Sequence, residues 1–421
     1  MAGTDLNQLV IIAWSYAQLD LQDQPLMKSI SEAAVAKLGD MIRVLEVADS
    51  GRDGDAVVSE LVLRCLHVLQ CCGWLTDEAL TVGTEVLRRL GDLKDKDSSG
   101  SGRGACCPRP SEPEAGQPCV LLAGTSACLL WKPPGWAVTV GQDRLGLPVG
   151  ASSEPQERGR KESWAGGDED GEEEEESGQF TLQSWVQANL GSSGSPIFQD
   201  ASAQHGLLHR LDVQSSGVVA CAMTYAAYYS GKLEFSLRRT RKFYVCLCRG
   251  HFPLVGPDGL QLASPLKLVR AGPDGPKRSV PDPAGLSACT EVVRVSNFEG
   301  DQGEPLSLVE VRLLTGRLHQ IRAHFSGQGF PLLGDELYAP ASGPASTTWC
   351  PRIFLHSWSL GLQICGETLQ VDCPLPQDLR STLAALTPCS QEARSVQQHW
   401  LAGPTRTSSA SSPEEYEGSG Y

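Results

Sequence analysis

The sequence lacks the features that define several protein classes. No apolar run approaches the roughly 20 residues that a membrane-spanning helix needs. The 15 cysteines include no CxxC pair with which a zinc site could begin. The opening MAGTDLNQLV has neither the basic-then-apolar order of a secretory signal nor the Arg- and Ser-rich composition of a transit peptide. We therefore expect a soluble protein with reduced thiols in the cytoplasm or nucleus, or in a mitochondrion or plastid if a presequence is missing.

An excess of basic residues is also missing. The chain has 35 Lys and Arg against 50 Asp and Glu, a net charge of −15, which argues against a general nucleic-acid-binding protein. The charge is unevenly distributed, because residues 154–176 alone carry eleven acidic and three basic residues. Residues 196–340 carry 15 basic and 13 acidic residues and include RRTRK at 238–242. A polyanionic partner is therefore compatible with this second region.

The first region of the chain has a helical pattern. Residues 1–95 place apolar side chains at helical spacing with few helix breakers, which predicts a small all-α domain. Two stretches that begin at Leu9 and Leu61 align without a gap at a period of 52 residues. Such an internal repeat predicts a pair of helical hairpins, either a plain four-helix array or a repeat of the RNA-binding solenoid type.

The rest of the chain alternates ordered patterns with low-complexity segments. Residues 96–118 are rich in Gly, Ser and Pro and are predicted to be a flexible linker. Residues 119–380 mix strand-like and helix-like runs and predict one α+β domain. The acidic tract within 142–178 is expected to be a disordered insertion in that domain, and residues 381–421 are expected to be a disordered tail.

One carboxylate lies in an unusual setting. In GLLHRLDVQSSGVVACA, residues 206–222, Asp212 is flanked by apolar residues on both sides. A partly desolvated carboxylate is costly unless a cation or hydrogen-bond donors hold it. Taken alone, Asp212 is either a member of a structural ion pair or a nucleophile.

Four separated motifs suggest what Asp212 does. They are WKPPGWAV (131–138), HGLLHRLDVQSSG (205–217), LEFSLRRTRKFYVCLCRG (233–250) and LLTGRLHQIRAHFSGQGFPLLGDELY (313–338). Together they resemble the RluA-type pseudouridine synthase family, whose pattern is KPxG, HRLDxxTSG, FxxRxVxKxY and TGRxHQIRxH followed by PxxGDxxY. The resemblance implies mixed, mainly antiparallel sheets with a central catalytic cleft in residues 119–380. It also implies an enzyme that isomerises uridines in RNA to pseudouridine.

The resemblance implies roles for three catalytic residues. Asp212 is the catalytic carboxylate, acting as a nucleophile or as a base that opens the sugar to a glycal. Arg322 is the cation that keeps Asp212 ionised. Tyr244 stacks on the target base and helps to remove its C5 proton. The isomerisation needs no outside reactant, so no cofactor is expected.

The same motifs imply the substrate contacts. Arg210 is expected to reach a phosphate or to take the place of the extruded nucleotide. The full set of expected substrate-binding residues is His209, Arg210, Leu211, Lys242, Arg317, His319, Gln320 and Ile321. No metal is expected, because the motif accounts for His319 and His324 and a hydrolytic metal site needs further carboxylates. The partner is RNA, and the protein is expected to be monomeric.

The chain departs from the family pattern at four positions. Trp131, Ser215, Thr240 and Leu318 replace the usual Asn, Thr, Val and Thr. None of these changes removes a group with an implied catalytic role, although Leu318 removes a hydroxyl near Arg322. The alternative function is a catalytically silent RNA-binding protein that uses the helical repeats. Intact Asp212, Tyr244 and Arg322 argue against it.

Overall fold

The structure is a computed structural model of the full chain. It describes residues 4–18, 23–47, 55–97, 108–113, 116–138, 180–191, 194–256, 259–270, 275–339, 350–403 and 408–411. The acidic tract and most of the predicted linker lie outside these residues. None of the described helices is both long enough and apolar enough to cross a bilayer.

Four helices form the first region, which we call the helical array. Their bounds are α1 Leu6–Gln18, α2 Gln24–Val47, α3 Asp55–Cys71 and α4 Asp77–Asp97. The 52-residue period places α3 at the position of α1 and α4 at that of α2, so each sequence copy is one helical hairpin. Their apolar faces pack together through buried residues such as Leu9, Leu38 and Leu66.

The second region is built on an eleven-stranded sheet within the described residues, with the path β1-β2-β3-β10-β4-β9-β8-β12 and with β5, β11 and β13 joined at its sides. Strands β6 and β7 form a separate hairpin. The strands are β1 Cys119–Ala123, β2 Ala127–Lys132, β3 Ser216–Ala222, β4 Arg241–Arg249, β5 Leu260–Leu262, β6 Leu266–Arg270, β7 Lys277–Pro281, β8 Thr290–Glu299, β9 Pro305–Leu313, β10 Leu355–Ile364, β11 Glu367–Asp372, β12 Thr387–Pro388 and β13 Ser408–Ser411. The sequence pattern explains the central strands, since SGVVACA in β3 is buried at all seven positions and is apolar on both faces.

The remaining helices cover the sheet. They are α5 Leu182–Asn189, α6 Tyr225–Ser236, α7 Gln320–Gly327, α8 Gln377–Ala384 and α9 Gln391–Ala402, with short 3₁₀ helices at Pro196–Gln199 and Ala201–Gly206. Hydroxyl caps begin several of them. For example, the Thr224 side chain accepts a hydrogen bond from the backbone N–H of Ala227 at the start of α6.

This architecture confirms the predicted class, an α+β fold whose sheet is mainly antiparallel, preceded by helices. The exception in the central sheet is the parallel pairing of β3 with β10, where Ser216 faces His356 and Gly217 faces Ser357. Gly217 has a φ of +136°, and a Cβ atom there would lie 2.2 Å from the carbonyl oxygen of Ser357. A side chain would therefore prevent the two strands from meeting directly after the segment that carries Asp212.

The end of the chain differs from the expectation of a disordered tail from residue 381. Helix α9 follows the capping residue Ser390, and the side chain of Trp400 is 1% exposed within the second hydrophobic cluster. The indole ring meets Trp358 of β10 edge to face with ring centroids 5.5 Å apart. The mostly polar composition of this segment did not indicate its amphipathic helix. The helix is ordered because it buries its few apolar residues against the sheet.

Candidate active site

Asp212 lies on the loop that precedes β3, at the junction of β3 and β10. Its side chain is 18% exposed, so the carboxylate is accessible but mostly desolvated. Arg322, on helix α7, places Nη1 3.2 Å from Asp212 Oδ2. The structure therefore brings together two residues that are 110 positions apart in the chain.

A second carboxylate holds the other side of the Arg322 guanidinium. Asp335 accepts hydrogen bonds from Arg322 Nε at 2.8 Å and from Nη2 at 2.9 Å. Its side chain is fully buried and also accepts the backbone N–H groups of Leu337 and Tyr338. Arg322 is therefore fixed by a bidentate ion pair and presents its remaining nitrogen, Nη1, to Asp212.

The charges around Asp212 keep it ionised. Burial by itself raises the pKa of Asp212, but His319, Arg322 and Arg210 outweigh it, so the pKa lies below its ordinary value of 3.8. Burial also lowers the pKa of His319, although the charge of Asp212 opposes this shift. Arg322 and Arg210 are the two arginines whose charges favour the ionised form of Asp212.

Two buried cations hold the loop after Asp212. Lys132, whose side chain is fully buried, places Nζ within 3.1 Å of the carbonyl oxygens of Val213 and Pro133 and within 2.7 Å of that of Ser215. From the other side, Arg352 Nη1 donates to the carbonyl of Gln214 at 3.0 Å. All three carbonyl groups of residues 213–215 thus accept hydrogen bonds from charged donors, which fixes the backbone that carries Asp212.

Tyr244 lies in β4, opposite Ser357 of β10. Its side chain is buried, and burial raises its pKa, with a further increase from the charge of Asp212. The phenol is therefore neutral at physiological pH. This state suits a residue that packs against a base better than one that accepts a proton.

His319 adopts a left-handed backbone conformation with φ of +50° at the start of α7. Its Nδ1 lies 3.3 Å from the hydroxyl of Tyr338, and its Nε2 lies 4.0 Å from Asp212 Oδ1. The Tyr338 hydroxyl donates to the carbonyl of Ser279, so His319 Nδ1 acts as the donor to that hydroxyl. His319 Nε2 is then the ring nitrogen that faces Asp212.

Three further predicted contact residues carry charge near the site. The charge of Arg210 acts on Asp212 and His319. Lys242 Nζ lies 5.7 Å from the centroid of the Phe235 ring, and Arg317 Nε donates to the carbonyl of Ser287 at 3.2 Å. Arg210 therefore acts on Asp212 itself, whereas Lys242 lies two residues before Tyr244 in β4 and Arg317 lies three residues before α7.

Other predicted substrate contacts have hydrogen-bond partners or apolar neighbours inside the protein. The amide of Gln320 accepts from the Thr315 hydroxyl and the Arg317 N–H, and donates to the Cys289 carbonyl and the Thr290 hydroxyl. These four bonds use all of its hydrogen-bonding capacity. The side chain of Gln320 is therefore fixed within the protein, and its substrate contact stays a prediction.

Three neighbours in the motifs also have side chains that lie within the protein. Leu211 and Ile321 are buried in the main hydrophobic cluster. His209 Nε2 accepts the N–H of Ala220, and burial lowers its pKa to about 3. Short motifs alternate residues that face the cleft with residues that face the core, and a motif match does not separate the two.

The described residues contain no group of three His, Cys, Asp or Glu side chains that could hold a metal ion. His324, which the sequence raised as a metal candidate, instead places Nδ1 2.9 Å from the Thr290 hydroxyl and Nε2 2.9 Å from the Ser264 carbonyl. Both ring nitrogens therefore have partners within the protein.

Comparisons with known proteins agree with this geometry. The sequence model of the RNA pseudouridylate synthase family matches residues 173–327. The dual-specificity RNA pseudouridine synthase RluA of Salmonella typhi is 33% identical over 181 residues, which are 43% of this chain and 77% of that protein. The chain belongs to the RNA pseudouridylate synthase family. It resembles the RluA type within that family, and membership makes it an isomerase.

Further similar proteins carry related names. RluA of Escherichia coli strain K12 is 35% identical over 150 residues, which cover 36% of this chain and 63% of that protein. A solved structure titled human RNA Pseudouridylate Synthase Domain Containing 1 is 21% identical with a TM-score of 0.42, covering 68% of this chain and 97% of that chain.

Sequence reasoning missed three residues that organise the site of this family member: Asp335, Lys132 and Arg352. Asp335 and Lys132 lie within two of the quoted motifs, at GDELY and WKPPG, and Arg352 lies three residues before β10. The available signal was a charged residue within an otherwise apolar run. Such residues are seldom fully buried unless they are paired.

Proposed function

We propose that this enzyme isomerises uridines in RNA to pseudouridine and that Asp212 is its catalytic carboxylate. The observation that carries the proposal is an accessible carboxylate with a lowered pKa, held by a guanidinium whose other donors are bound to a buried aspartate. A nucleophile or base must be ionised and held in position, and this arrangement supplies both conditions.

The chemistry requires no further reactant. The bond between C1′ and N1 of the uridine breaks, the base turns, and a bond forms between C1′ and C5. The proton on C5 is lost and N1 gains a proton, so that the composition of the nucleotide is unchanged. Asp212 acts either by attacking C1′ or by removing a sugar proton to give a glycal.

The proposed roles of the neighbouring residues follow from their positions. Arg322 keeps Asp212 ionised, and Tyr244 packs against the base as a neutral phenol. Lys242, Arg210 and Arg317 supply positive charge to the phosphates beside the target nucleotide, which must leave a helical stack in order to react. His319 Nε2 faces Asp212 and is proposed to form a hydrogen bond with the substrate there.

The test is Asp212→Asn. We expect a folded protein that binds RNA and forms no pseudouridine, because an amide retains the side-chain volume but is a poor nucleophile and base. Asp301→Asn, at an exposed turn between β8 and β9, is the matched control and should retain full activity. The measurement is pseudouridine in total cellular RNA, by mass spectrometry, from cells that express each variant in place of the wild type.

Two results would contradict the proposal. Pseudouridine formation by folded Asp212→Asn protein would remove Asp212 from the chemistry. RNA binding by a wild-type protein that forms no pseudouridine in any cellular RNA would instead favour a silent RNA-binding protein. Mapping the positions that depend on the active protein would identify its RNA substrate.

A further inference from the structure

The helical array packs against α6, the helix that leads to the basic segment RRTRK. Two features show a close fit. Gly91 of α4 approaches α6 so closely that a Cβ atom at this position would lie 2.3 Å from Ala226 Cα. Lys94, also on α4, lies 3.4 Å from Asp200 Oδ2 and 4.5 Å from the centroid of the Tyr225 ring. The array is thus joined to the catalytic region by both shape and charge.

The array also forms hydrogen bonds with both ends of α6. At the N-terminus, the carboxylate of Asp95 accepts the backbone N–H of Tyr225 at 2.8 Å and that of Ala226 at 3.2 Å. At the C-terminus, His67 Nδ1 lies 2.7 Å from the carbonyl oxygen of Ser236 and must be the donor, because a carbonyl only accepts. An acceptor at the first turn and a donor at the last turn satisfy the groups that a helix leaves unpaired.

The C-terminal end of α6 contacts residues of the candidate active site. The ring of Phe235 packs against His209 of the HRLD motif, with centroids 4.9 Å apart, and it also lies beneath Lys242. Residues 237–242, which we call the basic loop, run from the end of α6 into the first two residues of β4, the strand that carries Tyr244. Arg238 takes a left-handed φ of +56°, and its N–H donates to the carbonyl of Phe235. The path of the basic loop therefore depends on where α6 ends.

The charges of the array favour a role in holding neighbouring elements in place over direct binding of phosphates. Its four helices carry eleven acidic and eight basic residues, a poor match for phosphates. However, residues 61–76, which include the end of α3 near the basic loop, contain no Asp or Glu. Burial lowers the pKa of His67, and the charges of Arg238 and Arg317 lower it further, so both guanidinium groups lie near this acid-free end.

We propose that the helical array is an RNA-positioning element: through His67 and Asp95 it fixes α6, and thereby holds the basic loop against the RNA strand beside the target uridine. This inference rests on the proposed function, because it takes RNA as the ligand of the basic loop. His67 and Asp95 are positioning residues in this scheme, and neither has to contact RNA.

The experiment compares His67→Leu with His67→Asn. Leucine removes the donor to Ser236, whereas the Asn amide nitrogen occupies nearly the same place as Nδ1 and can still donate. His251→Leu is the matched control, because His251 Nε2 lies 3.1 Å from the carbonyl of Phe298, at the other end of the sheet. Hydrogen exchange of the Arg238 and Arg239 amides measures the basic loop directly, since both are bonded to carbonyls of α6.

The expected results separate position from chemistry. His67→Leu should accelerate exchange at Arg238 and Arg239 and weaken binding of total cellular RNA by about fivefold, the factor that one typical hydrogen bond contributes. The slope of log K against log salt should fall by about one, as for one lost phosphate contact. The effect should fall on KM more than on kcat. His67→Asn should restore all of these values, and His251→Leu should change none.

Three outcomes would overturn the inference. Unchanged exchange in His67→Leu would show that the array does not hold the loop. Faster exchange with unchanged RNA affinity and salt slope would show that the loop does not bind RNA, even if pseudouridine still forms. Equal losses in His67→Leu and His67→Asn would show a general packing defect. If His67→Leu fails to fold, Asp95→Asn tests the other end of α6, with exchange measured at Tyr225 and Ala226.

The inference and the proposed function can fail separately. If the wild-type protein forms no pseudouridine, the proposed function fails, whereas the exchange response of the basic loop still reports on the array. If pseudouridine forms normally and the array variants change neither KM nor RNA affinity, only the inference fails.

Discussion

The two carboxylates on either side of Arg322 have the same partner but opposite environments. Asp335 is fully buried and accepts two guanidinium donors and two backbone N–H groups. The side chain of Asp212 is 18% exposed, and its Oδ2 accepts one hydrogen bond from Arg322 Nη1 at 3.2 Å. The buried carboxylate is saturated with donors and so can only hold Arg322. The partly exposed carboxylate of Asp212 retains lone pairs that face solvent, which its proposed catalytic role requires.

Arg322→Met should have the largest effect, because it removes the partner that both carboxylates share. Without the guanidinium, Asp335 is a buried charge with no cation, and such a loss costs about 3 to 5 kcal/mol of the free energy of unfolding. Pseudouridine formation should fall to background near neutral pH. Chemical denaturation and a pseudouridine assay on the same preparation check the two effects.

The pKa of Asp212 determines how stability and activity should change with pH. In the wild-type protein the pKa of Asp212 is below 3.8, so the stabilisation from its ionised form is present above the unfolded pKa and is lost as the pH falls through the lower folded pKa. In Arg322→Met, burial remains while the guanidinium that donates to Asp212 is gone, and the pKa of Asp212 should rise. Residual activity should therefore increase with pH. A flat pH profile would contradict this account.

Lys132→Met tests whether the loop after Asp212 needs its buried cation. Three carbonyl groups would lose a charged donor, and we expect a loss of about 3 kcal/mol in unfolding free energy together with a large loss of kcat. Lys267→Met, on the β6–β7 hairpin, removes a half-exposed lysine and is the control. Denaturation midpoints and turnover should both remain unchanged for the control.

Asp335→Asn tests how the charge of the buried carboxylate affects Asp212 through their shared partner Arg322. The amide keeps one acceptor oxygen but removes the charge. Asp212 is then the carboxylate that still pairs with Arg322. The pKa of Asp212 should fall further and kcat should decrease, because Arg322 would then turn more of its donors toward Asp212. A pH–rate profile checks both effects, and an acid limb that moves to higher pH would contradict the prediction.

Thr240→Val should have the smallest effect and the opposite sign. The Thr240 hydroxyl is buried and has no hydrogen-bond partner among the residues that the structure describes. Valine has nearly the same shape without the unsatisfied hydroxyl, so stability should rise by about 1 kcal/mol. Pseudouridine formation should not change. A loss of stability on denaturation would show that the hydroxyl has a partner outside the described residues.

Two further departures from the family pattern share this feature. Trp131 Nε1 and Ser215 Oγ are buried and also have no hydrogen-bond partner among the described residues. Ser215 lies on the loop that Lys132 holds, so the backbone of that loop is bonded while this side chain is not. The sequence showed that the three residues differ from the pattern, but only the structure showed that each leaves a polar atom unsatisfied.

The fold was largely predictable because its signals are local. Helical spacing and a 52-residue repeat indicated the four helices of the array, and short alternating runs indicated a sheet domain. The error lay at the end of the chain, where α9 has a mostly polar sequence. It is ordered because Trp400 and its neighbours bury their surface against distant strands, and no local pattern records that contact.

The site was predictable only in part. The family motifs predicted Asp212, Arg322 and Tyr244 as catalytic residues. They also predicted substrate contacts for Gln320, Leu211 and Ile321, whose side chains lie inside the protein. A motif records which residues occur together. It does not record which of them face the cleft, because that depends on how the strands and α7 pack.

The sequence by itself therefore determined the family, the fold class and the identity of the candidate carboxylate, since these depend on residue types at fixed spacings. Only the tertiary structure decided that Arg322 is shared between Asp212 and Asp335, that Lys132 and Arg352 hold the loop between them, and that His67 reaches α6. These contacts join residues 13 to 169 positions apart. They form only when hydrophobic burial brings distant segments together and excludes water, which makes each buried charge depend on a partner from another part of the chain.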